Sequence, residues 1–231
     1  MTTRTRFPAL AAAVAVATGA VAVDAGVSTP AARCPAASTS SGSGSSVATI
    51  TEVLHSSVYA DAKFVGTVPF AVAGGSWICS DGSGQAIFGL SPSGGIATCI
   101  VLPSTRLQIL PQGSTQAVDF ETGASWCVLR RGDVQLGASS RNVRRIVART
   151  TTAIVGVVVS STSTTVKVWS GEAVVYGRTT PVIVKRSAAQ PPQQVIVSVT
   201  GTVRPGTASI SALDKIAVAK LRLAQSKSPS S

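Results

Sequence analysis

The run Thr164-Thr-Val-Lys-Val-Trp-Ser-Gly-Glu-Ala-Val-Val-Tyr-Gly177 limits the fold more than any other part of this chain. Apolar and polar residues alternate through Val166, Lys167 and Val168, and again around Val174 and Tyr176. A period of two belongs to strands whose faces see different surroundings. Ser170-Gly171 lies between the two runs, where a glycine suits the positive φ of a tight hairpin turn. Trp126-Cys-Val-Leu-Arg-Arg-Gly-Asp-Val-Gln-Leu-Gly137 has a related shape, with Gly132-Asp133 in the place of Gly171-Glu172. Val197-Ser-Val-Thr-Gly-Thr-Val203 is a looser third version.

Short strands of this kind, separated by Gly, Ser, Asp and Pro, recur from residue 47 to about residue 205. Residues 117–120, 126–129, 165–169 and 173–176 each read as one strand, and the Asp81-Gly82-Ser83-Gly84 turn reads as a hairpin between 77–79 and 85–90. Past residue 205 the pattern changes. Ser211 can cap a helix with Asp214 in its first turn, and Leu213, Ala217, Leu221 and Ala224 recur at helical spacing. Lys215 and Arg222 occupy the far side. Such a helix either docks on the sheet or lies as a basic amphipathic helix on a membrane, a peripheral contact. The expected fold is all-β, a β-roll or β-sandwich of many short strands, with one C-terminal α-helix.

The first 46 residues belong to a different class. Residues 1–25 read as a secretory signal peptide, with Arg4 and Arg6 before an uncharged apolar stretch over 9–23. That stretch has 15 residues, short of the roughly 20 that span a bilayer. Residues 26–46 are a Pro/Ala- and then Ser/Gly-rich linker with too little apolar surface to order itself. This leaves a β domain over 47–205 and a helix with its tail over 206–231. Extracytoplasmic placement, secreted or associated with the cell envelope, follows from the signal.

Four cysteines suit an oxidising compartment and allow three pairings. Cys79 and Cys99 flank the strand at 85–90 and are the expected disulfide, closing a loop of about 20 residues for roughly 3 kcal/mol. Cys127 would then pair with Cys34 or remain free in the core. No Cys-x-x-Cys exists and His55 is the sole histidine, so no metal site is expected. No cofactor signature is present either. His55, Ser56, Ser57 and Asp61 hold the residue types of a triad, but neighbours along a strand point to opposite faces. Asp119 and Glu121 share a strand face with nothing to mark them as an acid/base pair. Arg131-Gly132-Asp133 spells an adhesive tripeptide at a position that a turn also explains.

The formal charge is +11, from 20 basic and 9 acidic residues. Without residues 1–25 the chain loses Arg4, Arg6 and Asp24, leaving 18 basic and 8 acidic residues and +10. This excess favours anionic partners, wall polymer, acidic polysaccharide or lipid headgroups, or else serves solubility. Arg141, Arg144, Arg145 and Arg149 lie in the densest basic region and are the candidate polyanion contact. The alternative is solvated charge guarding a sheet edge. Nucleic acid is disfavoured, because stacking aromatics are needed beside a basic groove. Trp126, Trp169, Tyr176 and Phe88 sit instead at core-like strand positions.

Two segments carry a family resemblance. Thr150-Thr-Thr-Ala-Ile-Val-Gly-Val157, followed by Thr164-Thr-Val-Lys-Val-Trp-Ser-Gly-Glu172, resembles the central motif of FecR-type (ferric-citrate regulator) domains. Gly75-Ser-Trp-Ile-Cys-Ser-Asp-Gly-Ser-Gly-Gln-Ala-Ile-Phe-Gly-Leu90 is similar to the strand–turn–strand that opens such domains, and Gln194-Val-Ile-Val197 to their closing strand. One departure is Val158-Val159, where many members have Gly-Thr. The resemblance spans about residues 47–205 and carries no catalytic or ligand signature. It implies an exported, non-catalytic binding or sensing module of the cell envelope that contacts a protein, an anionic wall polymer or a glycan. The alternatives are a structural or adhesive secreted protein, or a part of a sigma-factor signalling system that lacks its own cytoplasmic segment.

Overall fold

The alternating residues 164–176 form one strand that bends, and the rest of the architecture is arranged around that bend. The computed structural model describes residues 34–36, 46–55, 57–90, 97–111, 114, 116–132, 134–139, 142–177, 181–186 and 190–227. The expected signal and most of the expected linker lie outside them. The strands are β1 (Ser46–His55), β2 (Val58–Ala60), β3 (Lys63–Phe64), β4 (Phe70–Ala73), β5 (Trp77–Ser80), β6 (Gln85–Leu90), β7 (Ala97–Val101) and β8 (Arg106–Ile109). They continue as β9 (Val118–Arg130), β10 (Leu136–Ala138), β11 (Val143–Ala148), β12 (Thr152–Val159), β13 (Ser163–Tyr176), β14 (Val182–Arg186), β15 (Gln193–Ser198) and β16 (Val203–Thr207). One helix, α1 (Ala212–Lys227), follows. The fold is all-β with a single C-terminal helix, as the sequence indicates.

Two sheets share two strands. The first sheet runs β4-β1-β6-β7-β9-β12-β13-β15-β16 and the second β3-β2-β5-β8-β9-β10-β11-β13-β14. All pairings are antiparallel except β9 with β10. Strand β9 pairs with β8 and β10 up to Thr122, then with β7 and β12 beyond Gly123. Strand β13 pairs with β12 and β15 up to Ser170, then with β11 and β14 from Gly171 onward. The ring β9-β12-β13-β11-β10 therefore closes as a five-stranded barrel.

Each bend sits on a glycine, at φ 89° for Gly123 and 77° for Gly171, a region that costs other residues a Cβ clash. At Gly171 a Cβ would also meet the Thr152 carbonyl oxygen and lie 2.7 Å from Thr150 Oγ1. The expected hairpin at Ser170-Gly171 is thus corrected to a bent strand. The expected strands at 117–120 and 126–129 are likewise two halves of β9. Gly132, equated with Gly171 on sequence, instead lies in a turn past the end of β9. The Asp81–Gly84 turn also differs from expectation. It carries the chain from β5 in the second sheet to β6 in the first, with Asp81 Oδ1 accepting the Ser83 and Gly84 N–H groups.

The inner faces of both sheets meet in one core that includes Ile50, Ile78, Phe88, Leu107, Phe120 and Leu136. A second cluster lies on the outer face of the first sheet, where Ile87, Ile100, Trp126, Val128 and Ile154 receive Ala217, Val218 and Leu221 of α1. Strands β6, β7 and the second half of β9 are consequently buried on both faces, which explains their nearly continuous apolar sequences. Gly156 lies opposite Trp126, and a Cβ there would come within 2.8 Å of the indole. The helix docks as expected through Ala217 and Leu221, but Leu213, assigned to the same stripe, is exposed.

The disulfides are Cys34–Cys79 and Cys99–Cys127, so the expected Cys79–Cys99 bond does not form. Alternation along β5 gives the reason. Ile78 fills the core, which turns Cys79 to the outer face of the second sheet. Cys99 points inward from the first sheet, directly opposite Cys127 with the Cα atoms 4.1 Å apart. Closing loops of these lengths contributes about 4 kcal/mol each by chain entropy.

Gly171→Ala is expected to lower unfolding stability by at least about 2 kcal/mol, read as a drop in the urea midpoint. Peptide mapping without reductant is expected to recover the 34–79 and 99–127 pairs and no 79–99 peptide.

Candidate functional site

Beyond its bend, β13 carries alternate residues to the two sides of the second sheet. Ala173 and Val175 enter the core, while Glu172, Val174 and Tyr176 face outward. The ladders then set their neighbours. Arg145 lies opposite Tyr176, Val147 opposite Val174, and Arg149 bonds the Glu172 carbonyl through its N–H. On the other side Ile183 lies opposite Val174 and Lys185 opposite Glu172. The outer face is thus a grid of three rows. Val147, Val174 and Ile183 form an apolar middle row, with Arg145 and Tyr176 on one side and Arg149, Glu172 and Lys185 on the other.

A β-bulge adds a fourth cation. Between the pairs Leu136–Ile146 and Ala138–Val143, β11 carries one residue more than β10. Consecutive Arg144 and Arg145 are therefore both exposed instead of pointing to opposite faces. The Arg145 guanidinium sits 3.9 Å from the Tyr176 ring centroid, a cation–π contact that holds it against the sheet. Arg149 lies 3.6 Å from Glu172, the single carboxylate of the grid. Four cations stand against one acid here.

Of the residues expected as a polyanion contact, Arg144, Arg145 and Arg149 come together on this face. Arg141 lies outside the described residues. Strand β11 is paired on both sides, so these arginines do not guard a sheet edge. Sequence reasoning missed Tyr176, Val174, Ile183 and Lys185 as neighbours. Their signal was the alternation of β13 and β14, but only the ladder brings those strands beside β11. An open groove of about 470 Å³ adjoins Ile183, lined also by Gln190, Pro191, Gln193, Gln194 and Pro205.

The residue types that suggested catalysis are occupied elsewhere. Asp61 accepts the Trp77 N–H at 2.7 Å, and His55 is exposed at the end of β1. Ser56 and Asp133 lie outside the described residues. Glu121 forms a two-pronged pair with Arg106, both contacts at 2.7 Å. Asp119 accepts the Ser139 N–H at 2.7 Å; burial pushes its carboxyl up, and the nearby Glu121 charge adds to this. Among the described residues no cluster of three His, Cys, Asp or Glu side chains is placed to hold a metal ion.

A second polar centre ties α1 to the first sheet. Asp214 Oδ1 accepts the Trp126 indole N–H at 2.7 Å, and Oδ2 lies 3.1 Å from Lys167 Nζ. The Ser211 N–H also donates to Oδ2, while the Asp214 N–H returns a bond to Ser211 Oγ, forming a capping box. Lys167 completes its coordination on the Ser209 carbonyl at 2.7 Å. Burial alone would raise the Asp214 carboxyl, but the Ser211 N–H, the Trp126 indole and Lys167 outweigh it and hold it below the ordinary aspartate range. The centre locks the helix in place.

Comparisons with protein families, with curated proteins and with solved structures find no match to this chain.

Asp214→Asn is expected to cost about 2 kcal/mol near neutral pH, because the half-buried Lys167 is left without its counter-charge. A carboxyl held low in the fold contributes stability that is complete above the ordinary aspartate value and fades as pH falls through the folded one. Urea titrations of wild type and variant should therefore differ most above about pH 5 and converge in stronger acid.

Proposed function

We propose that this protein is a non-catalytic binding module of an extracytoplasmic envelope, FecR-like in its central strands, which lays the outer face of its second sheet against an anionic wall polymer or glycan. The observation that carries this reading is the grid on β11, β13 and β14. It presents Arg144, Arg145, Arg149 and Lys185 on regular strands, where their spacing is fixed by the ladder and not by flexible loops. Repeating anionic groups along a polymer suit such an array, and sugar rings suit the apolar row between its two charged flanks. The adjoining groove of amides and prolines offers an extended ligand a continuation beyond Ile183.

The two disulfides fit an oxidising compartment, and among the described residues no helix is long and apolar enough to cross a membrane. The FecR-like part of the reading rests on the sequence resemblance of two segments that lie side by side in the fold, Val155-Gly156-Val157 against Val166, Lys167 and Val168. A binding role is favoured over an enzymatic one because Asp61, Asp81, Glu121, Glu172 and Asp214 serve turns, ion pairs and the helix lock.

Retention on an immobilised phosphodiester or carboxylate polymer tests this. Changing Arg144, Arg145, Arg149 and Lys185 together to Ser is expected to weaken retention at least tenfold at low salt, with unchanged circular dichroism. Wild-type retention should vanish near 1 M salt, where screening acts within about 3 Å. Retention that survives both treatments would move the reading to a protein partner docked on Val147, Val174 and Ile183.

A further inference from the structure

Helix α1 turns three of its four largest apolar side chains outward. The docked face buries Ala217, Val218 and Leu221, whereas Leu213, Ile216 and Leu223 are 37%, 50% and 61% exposed. A helix whose only task is to cover a sheet shows the reverse distribution, with a polar outer face. The three exposed side chains follow one another at spacings of three and seven residues, so they share one stripe. Lys220 falls on the same stripe, and Lys215 and Arg222 are exposed on the remaining outward side. The only acid of the helix, Asp214, is buried against Lys167. Every ionised group that α1 presents to solvent among the described side chains is therefore a cation.

We infer that the outward stripe of α1 seats on an anionic lipid surface, with Leu213, Ile216 and Leu223 entering the headgroup boundary and Lys215, Lys220 and Arg222 meeting lipid phosphates. Apolar side chains flanked by lysine and arginine are the composition that binds such an interface, since apolar burial and charge attraction act together there. A second copy of the chain is the wrong occupant, because two such stripes face to face would bring like charges together. The site lies on the first sheet, on the opposite side of the sandwich from the arginine grid. The inference therefore does not rest on polymer binding.

A reporter on the helix tests it in the full chain and separates it from any other membrane contact. Leu223→Trp adds emission at the stripe, measured as the difference from wild type. Vesicles with brominated acyl chains and about 30% phosphatidylglycerol should quench this added emission, and neutral phosphatidylcholine vesicles should quench it at least tenfold less. Adding Lys215→Glu, Lys220→Glu and Arg222→Glu should abolish the quenching. The same vesicles should quench the reporter fully when the four grid cations are Ser, which separates the two surfaces. Added emission that anionic vesicles leave unquenched would overturn the inference. So would quenching that survives the three charge reversals, or a stable dimer in sedimentation that Leu213→Ser and Ile216→Ser dissolve.

Discussion

Two strands, each bent at one glycine, belong to both sheets at once, and this sharing holds the molecule together. Because β9 and β13 cross from one layer to the other without leaving the hydrogen-bonded ladder, the sandwich closes into a barrel at its centre. The inner faces then have no route to slide apart. Outside the barrel, β7 and β8 pair with β9, β14 and β15 pair with β13, and the remaining strands extend from β7, β8 and β15. The same bend in β13 determines what the second sheet shows to solvent, since Glu172, Val174 and Tyr176 all follow Gly171.

A line of contacts runs across the sandwich from that bend. Arg186, opposite Gly171 on β14, donates to the Trp169 carbonyl and lies over its ring at 5.3 Å. Trp169 meets Trp126 edge to face at 6.1 Å, and Trp126 reaches Asp214 and through it Lys167. The second sheet, the first sheet and the helix are thus joined by adjacent polar and aromatic groups. Asp214 is the member whose loss would leave the half-buried Lys167 without its counter-charge.

The sequence was most legible where periodicity is local. The two halves of β13, the Ser211–Asp214 cap and the docking residues Ala217 and Leu221 could all be read from spacing alone. Gly171 could not, because positive φ serves a hairpin turn and a strand bend equally well, and only the partners β11 and β12 decide between them. Strands β4 and β16 carry a weak sequence signal, because Pro69 precedes one and Pro205-Gly206 lies in the other. Spacing along the chain does not give the disulfides, because Cys79 on β5 and Cys99 on β7 belong to different sheets. At the candidate site, the arginines stood out by density. Their shared face did not, since a bulge overturns the rule that consecutive residues point apart. The Trp126–Asp214 contact spans 88 residues, beyond the reach of any local pattern.

The disulfide order carries a consequence for how the chain reaches its oxidised state. The first cysteine joins the second and the third joins the fourth, so the two covalent loops follow one another without overlapping. A chain threaded through a pore from its N-terminal end delivers Cys34 and Cys79 before Cys99 emerges. An oxidant that couples thiols in order of arrival therefore makes both native bonds directly, with no mispaired state to be reshuffled. Overlapping connectivities would require the opposite: a waiting thiol, and an isomerase to correct the pair that forms first.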